Sequence, residues 1–480
     1  MPAQTEISRQ LAAFAAGAEY DDIPPDVIHL AKLLVLDVVG NAIGGWSTSA
    51  AKYALRALRT FEDEGQVSLI AVGRRTTIPY AIFGNVVLAS ALEADDTPLQ
   101  LGHHAHCAVV PSLAIAEYQG ASGRDLLTAV AAAYEIGMRV AVAATHVKLD
   151  PAGHPVRSAT GAGVNYVVFP AAAGSGRLLR LSIDQMASAL GIAGVTASIP
   201  LGLRYRRPYS HAKYNPYAFM AQNGAMGALL AAHGFTGDDA IFDATETEAH
   251  WWRMSGALDA NPERAVEKLG TEWWMRQVSF KLWPSCRYTH GPLNLFKRIT
   301  TRERIGIGDI EQVDVWSHSA VTRFHMEEAT VTSEADAEFS VPHAIAMTAF
   351  NIPPGPQWVA PRYWNDPAVE AIKQRVRFHV SAEMDDALLN ESLTNGYRST
   401  SPHAVRVRTK DGKLFEERSD HAPGDPQTPE TAVDDQELIE KFHNFAELTL
   451  PAPAIEECVA KIMKLDELDD VRPLLKLINN

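Results

Sequence analysis

Apolar positions through roughly the first 275 residues recur at helical spacing, and the polar residues between them are cap-formers. Ser122-Gly123-Arg124-Asp125 precedes Leu126-Leu127-Thr128-Ala129-Val130, and Ser182-Ile183-Asp184-Gln185 precedes Met186 to Leu190. In each, a hydroxyl and a side chain three residues on can satisfy the N–H groups left open by a first helical turn. Thr236 and Asp239 repeat the spacing and predict another helix start. Small residues dominate 127–144, 186–198 and 218–232, which predicts close-packed, buried helices.

The pattern changes after about residue 277. Residues 312–317 alternate, with Val313 and Val315 on one face, and 376–381 is a second β-like run. Residues 404–408 and 414–418 flank Lys410-Asp411-Gly412-Lys413, which predicts a hairpin. Pro423-Gly424-Asp425-Pro426 and Pro429 then break the chain, and Asp434 to Glu437 cap a return to helix. The expected fold is mainly α with an inserted α+β domain. A large all-helical domain spans 1–277 and is completed by 425–480, and a smaller α+β lid domain spans 278–424.

Composition narrows the function. The 480 residues carry 43 Lys and Arg against 58 Asp and Glu, a net charge of −15. Such a chain gains little from releasing counterions on a polyanion, so no nucleic-acid partner is expected. An anionic substrate would need a locally basic site. Cys107, Cys286 and Cys458 are far apart and odd in number, which argues against a disulfide framework or a thiolate zinc site and fits a reducing compartment. Met1 to Arg9 has no apolar run of signal-peptide type, and the longest apolar stretch, Leu126 to Val142, is interrupted by Tyr134, Glu135 and Arg139. A cytoplasmic protein with no membrane partner is expected. No GxGxxG, Walker A or GxSxG motif is present.

Four clusters carry candidate chemistry. The first joins Glu93, Asp95, Asp96 and Thr97 to His103, His104 and His106. Imidazoles beside carboxylates suit proton transfer, since the carboxylate orients and tunes the ring. The competing readings are a solvated loop and a metal site for a hydrolase or lyase built on His103, His104, His106 and Asp96, although the spacing matches no familiar metal pattern. The second is Gly153-His154 to Thr160-Gly161, a turn opening a small-residue segment. The third, Arg204 to Lys213, concentrates Arg204, Arg206, Arg207, His211 and Lys213 in an acidic protein, and arginine forks pair bidentately with carboxylates. The fourth runs from Lys281 through Trp283, Pro284 and Cys286 to His290. Cys286 reads as a buried small residue rather than a nucleophile.

In order and spacing these blocks resemble the MmgE/PrpD family, which includes 2-methylcitrate dehydratases, cis-aconitate decarboxylases and iminodisuccinate epimerases. Its acidic DDT block, histidine and Pro-Ala/Ser-Leu helix look like Asp95-Asp96-Thr97, His103 or His104, and Pro111-Ser112-Leu113. Its second histidine block resembles Gly153-His154 to Thr160-Gly161. Its lysine-led helix and GfTG turn resemble Lys213 to Gly224 and Gly234-Phe235-Thr236-Gly237. Its K-x-[YFW]-P-x-C…H block matches Lys281, Trp283, Pro284, Cys286 and His290, and its A-x-F-S segment looks like Ala337-Glu338-Phe339-Ser340. Asp411-Gly412 to Pro429 and Lys441-Phe442 resemble its C-terminal stretch, so the likeness covers nearly the whole chain.

The resemblance implies a lyase or isomerase that moves a proton on a small di- or tricarboxylate by dehydration, decarboxylation or epimerisation. It implies no metal or organic cofactor and a homodimer. A non-catalytic carboxylate-binding relative is the other reading of the same fold. The implied catalytic set is Glu93 (the family usually has Asp), Asp95, Thr97, His103 or His104, His154, Lys213 and Lys281. Counting forward from Thr97 favours His103, and counting back from Pro111 favours His104. The histidines are expected as acid and base, with the lysines holding substrate carboxylates. Arg206 and Arg207 are expected as further carboxylate ligands, with Tyr205 and His290 as additional substrate-binding candidates. Where the family has His and Gly after its first lysine, this chain has Tyr214 to Ala218, the segment after His154 is longer, and Tyr205-Arg206-Arg207 is unusual. These departures imply an altered substrate relative to 2-methylcitrate dehydratase.

Overall fold

The computed structural model describes residues 6–61, 65–145, 165–197, 207–243, 250–257 and 260–479. It is mostly helical, with a small mixed sheet in the C-terminal region. Ser122 accepts from the Asp125 N–H at the start of helix Gly123–Ala144, and Ser182 with Gln185 closes a reciprocal capping box on helix Ile183–Val195. Helices Gly123–Ala144, Val168–Leu178, Ile183–Val195 and Asn215–Ala232 pack on one another, and Pro25–Gly45, Ile78–Ser90 and Ala105–Gln119 join them. Every residue from Leu126 to Ala143 is buried. The charges that interrupt this stretch are satisfied internally. Arg139 Nε donates to Glu135 at 2.8 Å, and Glu135 accepts the Trp274 and Met275 N–H groups at 3.0 Å.

Helices Pro25–Gly45 and Gly123–Ala144 are long and apolar enough, by length and composition, to cross a membrane. Both are largely buried within the protein. No helix starts at Thr236. The segment instead lies against helix Ile183–Val195 so closely that a Cβ on Gly191 would stand 2.1 Å from the Asp238 carbonyl oxygen, and one on Gly237 would stand 2.3 Å from that of Ser188. Close backbone contact overrides the local capping signal, and Asp238 accepts from Ala240 N–H.

A short antiparallel ribbon pairs β1 (Val67–Leu69) with β2 (Arg74–Thr76). The main sheet has the order β4-β3-β5-β6, formed by β3 (Ile310–Ser317), β4 (Val376–Val380), β5 (His403–Thr409) and β6 (Leu414–Ser419). β3 runs parallel to β4 and antiparallel to β5, and β5 and β6 form the expected hairpin, with Gly412 at φ 85° in its turn. Val313 and Val315 both face a core, as their alternation predicts. Helices Arg287–Arg302 and Val341–Ala349 pack against this sheet.

Two main hydrophobic cores result. The larger draws on residues from Ile7 to Phe280 and again from Leu438 to Ile478, so the C-terminal helices pack onto the N-terminal ones. The second draws on Trp283 to Val407 together with Tyr209. Helix Asp435–Ala446 is tied to helix Pro25–Gly45 by a buried ion pair, Lys441 Nζ to Asp37 Oδ1 at 2.5 Å. The same ammonium donates to the Ala94 carbonyl at 2.6 Å, and Asn41 Nδ2 donates to that carbonyl at 3.2 Å.

Removing one member of this pair leaves the other charge buried alone. Lys441→Met is expected to destabilise the fold by about 3–5 kcal/mol, and Asp37→Asn/Lys441→Met to recover most of that loss. Guanidinium denaturation of the three proteins measures it. A Lys441→Met midpoint equal to wild type would show that the pair carries no such weight.

Candidate active site

The site lies where the two cores meet. After helix Ile78–Ser90 the chain turns sharply through Glu93, whose φ of 50° is in the left-handed region that side chains other than glycine rarely occupy. Two successive carbonyls are gripped there: Glu93 C=O accepts from Lys281 Nζ at 2.7 Å, and Ala94 C=O accepts from Lys441 and Asn41. Asp96 then acts as the cap of helix Ala105–Gln119. Its Oδ1 accepts the His104 N–H at 3.0 Å and the Ala105 N–H at 2.8 Å, and its Oδ2 accepts the Tyr134 hydroxyl at 2.7 Å. Strain of this kind persists only where surrounding contacts over-determine it, and such positions cluster at functional sites.

The carboxylates of Glu93 and Asp95 flank His103. His103 Nδ1 is 2.7 Å from the Asp96 carbonyl oxygen and 3.3 Å from Asp95 Oδ2, and Nε2 is 3.5 Å from Glu93 Oε1. A carbonyl can only accept, so Nδ1 carries the proton and the Nε2 lone pair is bare. Burial disfavours the imidazolium and holds His103 down at about 4, against the opposing pull of Asp95. At neutral pH it is a neutral base. His106 Nδ1 lies 2.9 Å from Asp95 Oδ2. Burial opposes its charge, but the neighbouring Cys107 sulfur and the Asp95 carboxylate outweigh it and hold His106 well above its ordinary value.

Behind Glu93 stands an ion network. Lys213 Nζ lies 2.7 Å from Glu93 Oε2 and 2.7 Å from Glu338 Oε2. Lys281 Nζ lies 3.3 Å from Glu93 Oε1 and 3.7 Å from Asp95 Oδ1. Tyr214 donates its hydroxyl to both oxygens of Glu338, at 3.0 and 2.9 Å. Burial raises Glu93, yet Lys213 and Lys281 pull it down to about 2. Burial likewise opposes the Asp95 charge, and His103, Lys281 and His106 overcome it and hold Asp95 well below the carboxylate range. Glu338 is pushed the other way, to about 7, by burial against the pull of Lys213 and with Glu93 as a like-charged neighbour.

A small cavity, partly open to solvent, sits against this network. Its walls are Glu93, Thr97, Gly102, His103, Tyr217, Cys286, Arg287, Tyr288, Phe324 and Phe339. The Thr97 hydroxyl is buried and has no hydrogen-bond partner among the described residues, so it can bond a ligand. Burial pushes the Cys286 thiol up to about 11, which leaves it un-ionised at neutral pH, a small wall residue rather than a nucleophile.

Glu93, Asp95, Thr97, His103, Lys213 and Lys281 are thus brought together, as the block order implies. Several expectations change. Of the two alternatives, His103 reaches the cavity, whereas His104 is fully buried and stacked on Tyr166 at 5.3 Å. Lys213 and Lys281 were expected to meet substrate carboxylates, but neither lines the cavity and both ammonium groups are engaged by Glu93. Arg207 spends Nε and Nη2 on Asp336, at 3.0 and 2.7 Å, and is not a cavity ligand. His290 is fully buried against Trp283, 5.1 Å between ring centroids, and is absent from the cavity wall. His154, Tyr205 and Arg206 lie outside the described residues. For the metal reading, Asp95, Asp96 and His106 offer ligand atoms within 4.8 Å of one another. Asp96 already accepts three hydrogen bonds and Asp95 is paired with His106 and Lys281, so the donor set is committed to the fold.

Glu338 and Tyr214 were not anticipated as site residues. Position 338 is the open position of the A-x-F-S pattern, and a glutamate between Ala337 and Phe339 was the available signal. The geometry predicts that the His103 imidazole stays neutral, with the proton on Nδ1, from neutrality down to about pH 5 and titrates near 4. Long-range proton–nitrogen NMR reads this directly. A transition above about pH 6 would contradict the assigned environment.

Two family models match the chain: MmgE/PrpD N-terminal domain over residues 9–253 and MmgE/PrpD C-terminal domain over residues 283–464. The chain is 24% identical to a cis-aconitate decarboxylase of Aspergillus terreus (strain NIH 2624 / FGSC A1156), an alignment covering 99% of this chain and 96% of that protein. It is 23% identical to a cis-aconitate decarboxylase of Mus musculus, covering 98% of this chain and 93% of that one. With both domains matched in order along one chain, the protein belongs to the MmgE/PrpD family.

Proposed function

We propose that the protein is a lyase that decarboxylates a small di- or tricarboxylate related to cis-aconitate, with His103 as the proton-transfer group. One observation carries this: His103 lines the cavity with Nδ1–H fixed on the Asp96 carbonyl, which leaves Nε2, 3.5 Å from Glu93 Oε1, as its unprotonated nitrogen. The family and the decarboxylase relatives supply the substrate class.

In such a reaction the C–C bond to the departing carboxylate breaks, CO₂ leaves, and its electron pair stays on the carbon skeleton. The carbon that receives the pair takes one proton, so each turnover consumes one. His103 is neutral in the free protein, and a polyanion arriving beside it favours the imidazolium. Nε2 then takes a proton from solvent and delivers it to carbon. The Thr97 hydroxyl bonds a substrate carboxylate, and Tyr217, Tyr288, Phe324 and Phe339 restrict water around the reacting carbon. Lys213 and Lys281 act through their field from behind Glu93, which is strong where water is excluded.

The expected outcome is CO₂ release and incorporation of solvent deuterium at carbon when the protein is offered cis-aconitate or a close analogue in D₂O, followed by NMR. Citrate, 2-methylcitrate and iminodisuccinate in the same panel distinguish dehydration and epimerisation. His103→Asn is expected to lower kcat by roughly 10²–10⁴-fold. Thr97→Val, which removes one ligand hydrogen bond, is expected to raise KM more than it lowers kcat. Turnover of a His103→Asn variant within a few-fold of wild type would overturn the assignment.

A further inference from the structure

Lys213 is held between two buried carboxylates, Glu93 and Glu338, at 2.7 Å from each. Lys213 is 3% exposed and Glu338 fully buried, so neither charge is relaxed by water. The nearest ionic groups do not add up to an anion site. Glu93, Asp95 and Glu338 contribute three negative charges, and Lys213, Lys281 and the His106 imidazolium contribute three positive ones. Asp37 and Lys441 cancel each other just beyond, as do Asp425 and the Arg287 guanidinium on the cavity wall, and Asp96, which burial and Asp95 push up to about 7, adds no positive charge. Drawing a polyanion into a cavity beside a balanced, buried network requires further positive charge, or the loss of a negative one.

We propose that Glu338 is the group that supplies this change: an anionic substrate binds together with one proton, which discharges Glu338 and leaves the Lys213 ammonium paired with Glu93 alone, so that the network gains one net positive charge to attract the substrate's carboxylate. This rests on the carboxylate-binding reading above. The geometry places each part. Lys213 Nζ lies 4.4 Å from the ring of Phe339, a cavity wall, so its field reaches the ligand through one side chain. Tyr214 can rotate its hydroxyl from donating to the carboxylate to accepting the new O–H, so the protonated Glu338 is not left without a partner.

Other groups around Glu338 are committed elsewhere. Glu93 is shared by both lysines and His103. Cys286 donates its backbone N–H to the Glu338 carbonyl at 2.9 Å, and its thiol stays protonated. Asp336, two residues away on the same helix, is paired with Arg207, and Tyr209 stacks on Phe339 at 5.1 Å. Burial pushes Glu338 up to about 7 while the lysines hold Glu93 at about 2, so of the two carboxylates on Lys213 it is Glu338 that takes the proton. Lys213 would thereby recover the carboxylate-attracting role that the family pattern implies, through its field rather than by contact.

The test is isothermal titration of the full chain with tricarballylate, a saturated tricarboxylate, in buffers of different ionisation enthalpy. Wild type is expected to take up close to one proton per site near pH 8 and almost none near pH 6, where Glu338 is already protonated, with affinity roughly tenfold weaker at the higher pH. Glu338→Gln, which imitates the discharged state, is expected to bind at pH 8 roughly as tightly as wild type does at pH 6 and to take up close to one proton per site fewer than wild type at pH 8. Glu338→Asp, which keeps the charge, is expected to restore uptake. Binding by wild type without proton uptake, or uptake at pH 8 as large in Glu338→Gln as in wild type, would overturn the inference and leave the proposed function standing. Failure of wild type to bind tricarballylate at either pH would overturn both.

Discussion

Two lysines, the His106 imidazolium and three carboxylates share a space that water hardly reaches, and the site is organised around keeping that arrangement neutral. A buried ammonium is tolerable only beside a carboxylate, and a second carboxylate only beside a second cation. Lys213 therefore bridges Glu93 and Glu338, while Lys281 bridges Glu93 and Asp95. The elements that bear these residues lie far apart along the chain and pack into different hydrophobic cores. Their charges meet only because the cores close on one another, so the ion network is also a joint between the two halves.

The same network explains the strained turn at Glu93. With φ at 50°, the residue aims its side chain at both lysines and turns its carbonyl to Lys281. The next carbonyl, of Ala94, is held by Lys441 of helix Asp435–Ala446 and Asn41 of helix Pro25–Gly45. Asp96 anchors the far end by capping helix Ala105–Gln119. Between these fixed points the backbone has little freedom, and His103 is delivered with one nitrogen committed and the other bare. A base built in this way needs no reorganisation when a substrate arrives.

An acidic protein can thus host an anionic ligand. Its net charge of −15 repels such a ligand at long range, and screening confines that repulsion to roughly 10 Å at moderate salt. Inside the cavity the balance depends on a few buried groups. Among them Glu338 is the carboxylate on Lys213 whose charged state burial opposes most, and that lysine lies against the Phe339 wall.

The helices around Ser122 and Ser182, the hairpin about Gly412 and the inward face of Val313 and Val315 were legible in the chain, because capping, turn conformation and side-chain alternation are local physics. The resemblance in block order, rather than local composition, singled out Glu93, Asp95, Thr97, His103 or His104, Lys213 and Lys281. Locality fails elsewhere in identifiable ways. The capping signal at Thr236 lost to backbone contact with Gly191 and Ser188, residues some fifty positions earlier. The choice between His103 and His104 turned on which ring faces the cavity, and adjacent residues in a helix-entry turn point apart. Arg207 looked free in sequence, but its partner Asp336 lies 129 residues on. Glu338 looked like one polar residue in an apolar stretch, and only the meeting of its short helix with Lys213, 125 residues earlier, makes it part of the site. The sequence by itself determined which elements form and which side chains are able to transfer protons. Tertiary structure alone decided which charges neutralise one another, because that depends on distances in a low-dielectric interior between residues whose separation along the chain carries no information.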